Sequence, residues 1–417
     1  MMTDVEVFLD WQGQCLPVGL MRRHPARGRE SVTFEYDPDW LASAESFSID
    51  PGLPKGLGVF RPPAGQEMFG TLGDSAPDTW GRTLMRRRER RAADAEGRPV
   101  RTLHEVDFLL GVSDETRLGA LRFRWAGEEE FQAPQAVGVP GTVALGSLLR
   151  ASERILRGEE SDEDLLLIFA PGSSLGGARP KASVIDQHGA LSVAKFPKET
   201  DEYSLERWEV IALDMAEACG ITVAQHDIVE NDGRPIFLSR RFDRQGGMRI
   251  PFLSAMSMTQ HRDGERGSYL EIVDALSEQG ANAVKDKAEL FRRIAFSVLV
   301  SNTDDHLRNH GFLWQGQQGW TLSPAYDINP TPADIKPRIL STNIDFDDGT
   351  CSLELLRSVA EEFSLKAVDG DQIIGAVAGV VQNWRDFARG RGAREAEITR
   401  MTSAFEHDDL ERALALS

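Results

Sequence analysis

The sequence predicts an α/β (α+β) chain with a β-rich N-terminal subdomain, a small strand-and-helix region and a mainly helical C-terminal lobe. Three observations predict it. Short alternating apolar segments, broken by Pro and Gly, fill the first 60 residues. A Gly-rich turn, two strands and a helix follow one another between residues 172 and 219, and helical apolar spacing dominates beyond about residue 265. At 417 residues and 41% hydrophobic content, the chain is long enough for two or three packed domains.

Val5–Leu9 and Val32–Tyr36 alternate as strands do, and Pro51–Gly56 has turn composition. Trp80–Arg91 and Leu103–Leu110 have helical spacing, and Ala120–Trp125 reads as a strand, which closes a first subdomain over residues 1–130. Residues 126–142 are charged and then Pro/Gly-bearing, a linker composition. In a second region, residues 145–265, Leu145–Gly158 reads as a helix. Lys181–Ile185 and Leu191–Phe196 read as strands around the turn Asp186–Gly189, and Leu205–Cys219 as a helix stopped by Gly220. Residues 266–417 form the helical lobe, interrupted by one hairpin.

Lys and Arg total 47 against 66 Asp and Glu, and the resulting net charge of −19 argues against an autonomous nucleic-acid binder. The basic run Met85–Arg91 reads as a solvated helix face. The longest apolar run, Ile373–Val381, falls short of the roughly 20 residues a membrane helix needs, so no membrane span is expected. The acidic N-terminus lacks the basic and apolar segments of a secretory signal, which makes cytoplasm the expected address. Cys15, Cys219 and Cys351 are odd in number and far apart, without zinc-site spacing.

The chemistry concentrates in Phe291–Gly311. Phe291, Ile294, Ala295, Val298 and Leu299 mark the apolar face of a buried helix, and Asn302, Thr303, Asp304, Asp305, His306 and Asn309 follow at once. So many hydrogen-bonding groups are costly to bury without a task. In protein kinases a catalytic Asp precedes a metal-binding Asn by five residues, the separation of Asp304 and Asn309. Gly311–Trp314 and Trp320–Ser323 read as a hairpin, beyond which Asp327 supplies the second carboxylate that Mg²⁺ requires. Upstream, Gly172–Lys181 is a Gly-rich turn suited to phosphate oxygens. It is not a Walker A loop, because Ala178 and Arg179 stand where Lys and Ser/Thr are required. Lys195, between apolar neighbours on a strand, needs a phosphate or carboxylate beside it, and Glu209 on the next helix is the candidate partner. His306 reads as a hydrogen-bonding organiser of the loop, and Asp243 in Arg240–Arg244 as a salt-bridge scaffold.

These segments together resemble the HipA-like serine/threonine kinases, toxin components of bacterial toxin–antitoxin pairs. The resemblance rests on Ser174–Lys181, Ala194–Pro197, Glu209–Gly220, Arg240–Arg244, Phe291–Phe312 and Leu322–Asp327, with Thr71–Arg82 similar to that family's first subdomain. It implies a protein-kinase-like fold that uses ATP and Mg²⁺. Asp304 would be the catalytic base, Asn309 and Asp327 the metal ligands, and Lys195 a contact to ATP phosphates. Ser174, Leu175, Gly176, Gly177, Ala178 and Lys181 would cover the nucleotide, with Glu209 and His306 completing its site. The resemblance also implies autophosphorylation at Ser174, which would place about two negative charges beside the ATP phosphates and silence the enzyme. Its further implications are a protein substrate such as an aminoacyl-tRNA synthetase, a small helix-turn-helix antitoxin, and DNA contact only through that antitoxin. Trp208 and Arg179-Pro180 depart from the family's usual residues. A small-molecule kinase and a catalytically vestigial co-repressor are the alternatives.

Overall fold

The structure is a computed structural model that describes residues 4–26, 28–133, 138–169 and 177–416. The chain forms two compact units, Met1–Glu199 with Glu230–Leu253, and Thr200–Val229 with Ser254–Ser417.

The first unit opens with an antiparallel sheet of β1 (Asp4–Trp11), β2 (Gln14–Ala26), β3 (Arg29–Tyr36) and β4 (Leu121–Trp125), in the order β3-β2-β1-β4. Alternation sets its buried face: Val5, Val7 and Leu9 turn inward with Met21, Phe34 and Phe123. Gly19, opposite Val7 and Tyr36, has room for no side chain, since a Cβ there would lie 2.4 Å from the Glu35 carbonyl oxygen. The helix Thr79–Glu96 is N-capped by Asp78, whose carboxylate accepts from Gly81 N at 2.9 Å, and ends at Gly97 with φ +62°. The basic run lies on this helix and is only partly given to solvent. Arg87 donates to the Ile155 carbonyl and to Glu160, and Arg91 to the Glu160 carbonyl and Asp162.

A second sheet contains β5 (Lys181–Ile185), β6 (Leu191–Lys195), β7 (His226–Asn231) and β8 (Arg234–Arg240), in the order β5-β6-β8-β7. Only the last two residues of β7 belong to this unit. Lys181 pairs with Lys195, which pairs in turn with Phe237. The helices Leu145–Arg157 and Asp162–Phe169 pack on one another, the second also against β5, and Leu148, Leu149, Ile155, Leu165 and Ile168 are buried.

One buried ion cluster fastens the N-terminal part of this unit to the residues after β8. Asp243, fully buried, accepts from Arg241 at 2.6 and 2.5 Å, from Arg244 at 2.7 Å and from Gly119 N at 2.7 Å. Arg241 also donates to the carbonyls of Thr116 and Arg117. Burial by itself would raise the Asp243 pKa, but the two guanidinium groups outweigh it and hold it at about 2.

The second unit is built around the helix Ala283–Leu299, whose Leu290, Phe291, Ile294, Ala295, Val298 and Leu299 are wholly buried. Tyr269–Gln279, Ala367–Val381 and Asp408–Leu414 pack against it. Trp208, on Leu205–Ala218, lies 6.1 Å from Trp384, which stacks on Phe405 at 4.5 Å. The departure at position 208 thus fills an aromatic cluster in this unit's core. Residues 300–352 run between the helices largely as turns and one hairpin, Gly311–Trp314 with Trp320–Leu322, rather than as continuous helix.

Replacing Asp243 by Ala is expected to cost roughly 3–5 kcal/mol of stability, because it strands the fully buried Arg241. Chemical denaturation measures this. The folded Asp243 pKa lies below the ordinary 3.8, so its contribution is complete above that value and is lost as pH falls toward about 2. The variant should therefore show a smaller acid-induced loss of stability across that window.

Candidate active site

Where the helix Ala283–Leu299 ends, the chain turns through Ser301 at φ +53°, a left-handed conformation uncommon outside Gly. The next four residues divide sharply between interior and solvent. Asn302 and Thr303 are buried, the Asp304 side chain is 69% exposed, and Asp305 is 4% exposed. Two adjacent carboxylates therefore have different tasks available to them. Only Asp304 is open to a substrate.

Asp305 anchors the loop from beneath. It accepts from Tyr269 Oη at 2.6 Å and Ser297 Oγ at 3.2 Å, and His310 Nε2 lies 3.0 Å away without the alignment of a hydrogen bond. Burial would raise the Asp305 pKa, yet the neighbouring His310 ring and the donated hydrogen bonds hold it below the usual carboxylate range. Tyr269 is pushed well above its ordinary value by burial and by Asp305. The sequence predicts an organising role for His306. That residue contributes mainly through its backbone, its N–H donating to Asp304 O and its carbonyl accepting from Asn309 N, each at 2.8 Å, while its buried Nδ1 has no hydrogen-bond partner.

Asn309 ends a short 3₁₀ turn, Leu307–Asn309, and its Nδ2 donates to the Asp304 carbonyl at 3.1 Å. This fixes the amide and leaves Oδ1 buried without a hydrogen bond, a state that suits a ligand to a hard cation. Asp327, at φ +58°, follows the hairpin and accepts from Asn329 Nδ2 at 3.1 Å. Asn302 Oδ1 accepts from Asn329 N at 3.0 Å, and Tyr326 Oη donates to the Arg308 carbonyl at 2.6 Å, so the Asp327 turn is tied to the Asp304 loop at two points. An amide oxygen and a carboxylate are the donor types that a Mg²⁺ ion takes, so Asn309 and Asp327 could hold one. Sequence reasoning missed Lys336, whose Nζ lies 3.3 Å from Asp304 Oδ1 and 3.1 Å from the Thr303 carbonyl. No motif marks a lysine 32 residues downstream.

The remaining candidates are divided between the units. Lys195, in the first unit, is half-buried at the end of β6 with its ammonium 5.3 Å from the Phe237 ring centroid. Glu209 is buried in the second unit on Leu205–Ala218. Ser174, Leu175 and Gly176 lie outside the described residues, and Gly177, at φ +96°, and Ala178 are exposed. Lys181 is buried, with Nζ 2.7 Å from the buried Asp78 carboxylate, and Trp80 Nε1 donates to the Lys181 carbonyl at 3.1 Å. The charge of Lys181 is thus engaged by the N-terminal part of its own unit.

Residues 173–384 match the model of a protein family described as the HipA-like C-terminal domain. Toxin YjjJ of Escherichia coli is 26% identical over 189 residues, covering 43% of this chain and 42% of YjjJ. A Haemophilus influenzae relative is 26% identical over 188 residues, and 54% of it is covered, so the chain spans about half the length of these two relatives. "Putative kinase Y4mE" of Sinorhizobium fredii is 22% identical over 364 residues, covering 79% of this chain and 78% of that protein. Among solved structures, HipA of Shewanella oneidensis MR-1, in complex with HipB and operator DNA, matches with a TM-score of 0.67. That match is 17% identical and covers 99% of this chain and 96% of the HipA chain, a likeness of fold.

Asp305→Asn is expected to lower stability by about 1.5–3 kcal/mol, since it removes the charge that Tyr269, Ser297 and His310 converge on. Thermal denaturation at neutral pH checks this. Lys181→Met should cost more, roughly 3–5 kcal/mol, because it leaves the Asp78 carboxylate buried and unpaired.

Proposed function

Because the chain belongs to the HipA-like C-terminal domain family, we propose that it is an ATP- and Mg²⁺-dependent protein serine/threonine kinase of the HipA-like toxin type. One observation carries the proposal: exposed Asp304 shares a loop with Asn309, whose amide is pinned to the Asp304 carbonyl while its Oδ1 is left unpaired, and this loop is tied to the Asp327 turn. Relatives named as a toxin and as a kinase support the same reading.

In this mechanism Asp304 orients a substrate hydroxyl and receives its proton, while Asn309 Oδ1 and Asp327 would hold a metal ion. Mg²⁺ and ATP, when bound, would supply the phosphoryl group and the charge neutralisation that its transfer requires. Lys195 would contact the nucleotide phosphates. The segment containing Ser174 to Ala178 covers the nucleotide, and phosphorylation of Ser174 silences the enzyme by charge repulsion. Asp305 does not react; it keeps the loop in place, and the catalytic power comes from positioning and electrostatics.

The protein substrate is a translation component such as an aminoacyl-tRNA synthetase, and the site of action is the cytoplasm. No helix among the described residues is long and apolar enough to cross a membrane. The partner is a small helix-turn-helix antitoxin, as HipB accompanies HipA in the Shewanella complex. Contact with DNA runs through that partner, consistent with a net charge of −19 on this chain.

Intact-mass measurement after incubation with ATP and Mg²⁺ tests the proposal. The wild-type protein should gain one phosphate, Ser174→Ala should gain none, and Asp304→Asn should slow the gain by at least about 100-fold. Native-rate transfer by Asp304→Asn would refute the mechanism, and the absence of both phosphate gain and an ATP-dependent thermal shift would favour a vestigial site.

A further inference from the structure

The segment after Asp327 returns across the Asp304 loop and is sewn to it on both sides of Lys336. Before the lysine, Thr331 N donates to the Ser301 carbonyl at 3.1 Å. After it, Arg338 donates to Ser301 Oγ at 3.0 Å and to the Val298 carbonyl at 2.9 Å, Ser341 Oγ to the Thr303 carbonyl at 3.0 Å, and Thr342 N to the Asp305 carbonyl at 3.1 Å. Arg338 is held from the far side by Asp409 at 2.7 Å. A backbone fixed at so many points delivers the Lys336 ammonium to one place, where its two partners are Asp304 Oδ1 and the Thr303 carbonyl.

We infer that Lys336 is a positioning residue for phosphoryl transfer, holding Asp304 Oδ1 so that Oδ2 is the oxygen presented to the substrate hydroxyl. The inference rests on the kinase reading of this site. The pair adds little to the stability of the fold, because its side chains are 42% and 69% exposed and exposed ion pairs contribute little. Among the described residues no group hydrogen-bonds Oδ2, so the carboxylate is half engaged and half available. In the transfer step the hydroxyl oxygen bonds to the γ-phosphorus as the bond from that phosphorus to the bridging oxygen breaks. The bridging electron pair leaves with the nucleoside diphosphate, and the hydroxyl proton passes to Oδ2. The ammonium on Oδ1 restricts rotation of the carboxylate, so the accepting oxygen does not have to be oriented anew in each turnover. An arginine can keep the same contact, whereas a methionine of similar length cannot.

The test compares phosphate incorporation by the wild-type chain, Lys336→Met and Lys336→Arg over a range of ATP concentrations, with thermal midpoints confirming that each variant is folded. Lys336→Met should lose about tenfold in kcat, read as the single-turnover rate constant at saturating ATP, while its KM for ATP stays within about twofold, and Lys336→Arg should recover most of the rate. Native kcat in Lys336→Met, a loss confined to KM, or failure of Lys336→Arg to recover activity overturns the role while leaving the kinase reading in place. A wild-type protein that transfers no phosphate overturns the kinase reading, and this role with it.

Discussion

Asp305 carries a carboxylate into the interior of the second unit, where an uncompensated charge costs several kcal/mol. Its compensation comes from three places: Tyr269 on one helix, Ser297 on the central helix and His310 just ahead of the hairpin. Because these partners sit on two helices and at the start of the hairpin, the carboxylate is satisfied only when helices, loop and hairpin are assembled together. The position of the adjacent exposed Asp304 follows from that assembly. A reactive carboxylate on a loop would ordinarily sample many orientations, but this one is attached to a neighbour that cannot move without breaking a buried network.

The first unit solves a similar problem twice. Asp243 gathers Arg241, Arg244 and Gly119 N, joining the turn after β8 to the approach to β4. Asp78 caps the helix Thr79–Glu96 with one oxygen and receives Lys181 on the other, which connects that helix to the first residue of β5. Both links hold polar chain segments against a hydrophobic framework, and both depend on complete pairing. Half of either pair would be worse than none, since the surviving charge would remain buried.

The likeness to HipA of Shewanella at 17% identity shows how much sequence can change around this plan. Within the second unit Trp208, beside Glu209, packs with Trp384 and Phe405, its Nε1 buried without a hydrogen-bond partner.

Local periodicity by itself determined the α/β class, the strands Lys181–Ile185 and Leu191–Lys195, the helix Leu205–Ala218, and the hairpin ahead of Asp327, because each is specified by neighbours in sequence. It also singled out Asp304 and Asn309, since their five-residue spacing lies within a single loop. The division of labour between Asp304 and Asp305 was not legible, for two consecutive carboxylates look alike until the fold buries one of them. Nor was the burial of Lys181 against Asp78, 103 residues away, or the return of Lys336 to Asp304 across 32 residues. Pairings of that kind depend on which backbone segments are brought within about 3 Å, a distance that tertiary packing decides and that no local pattern records.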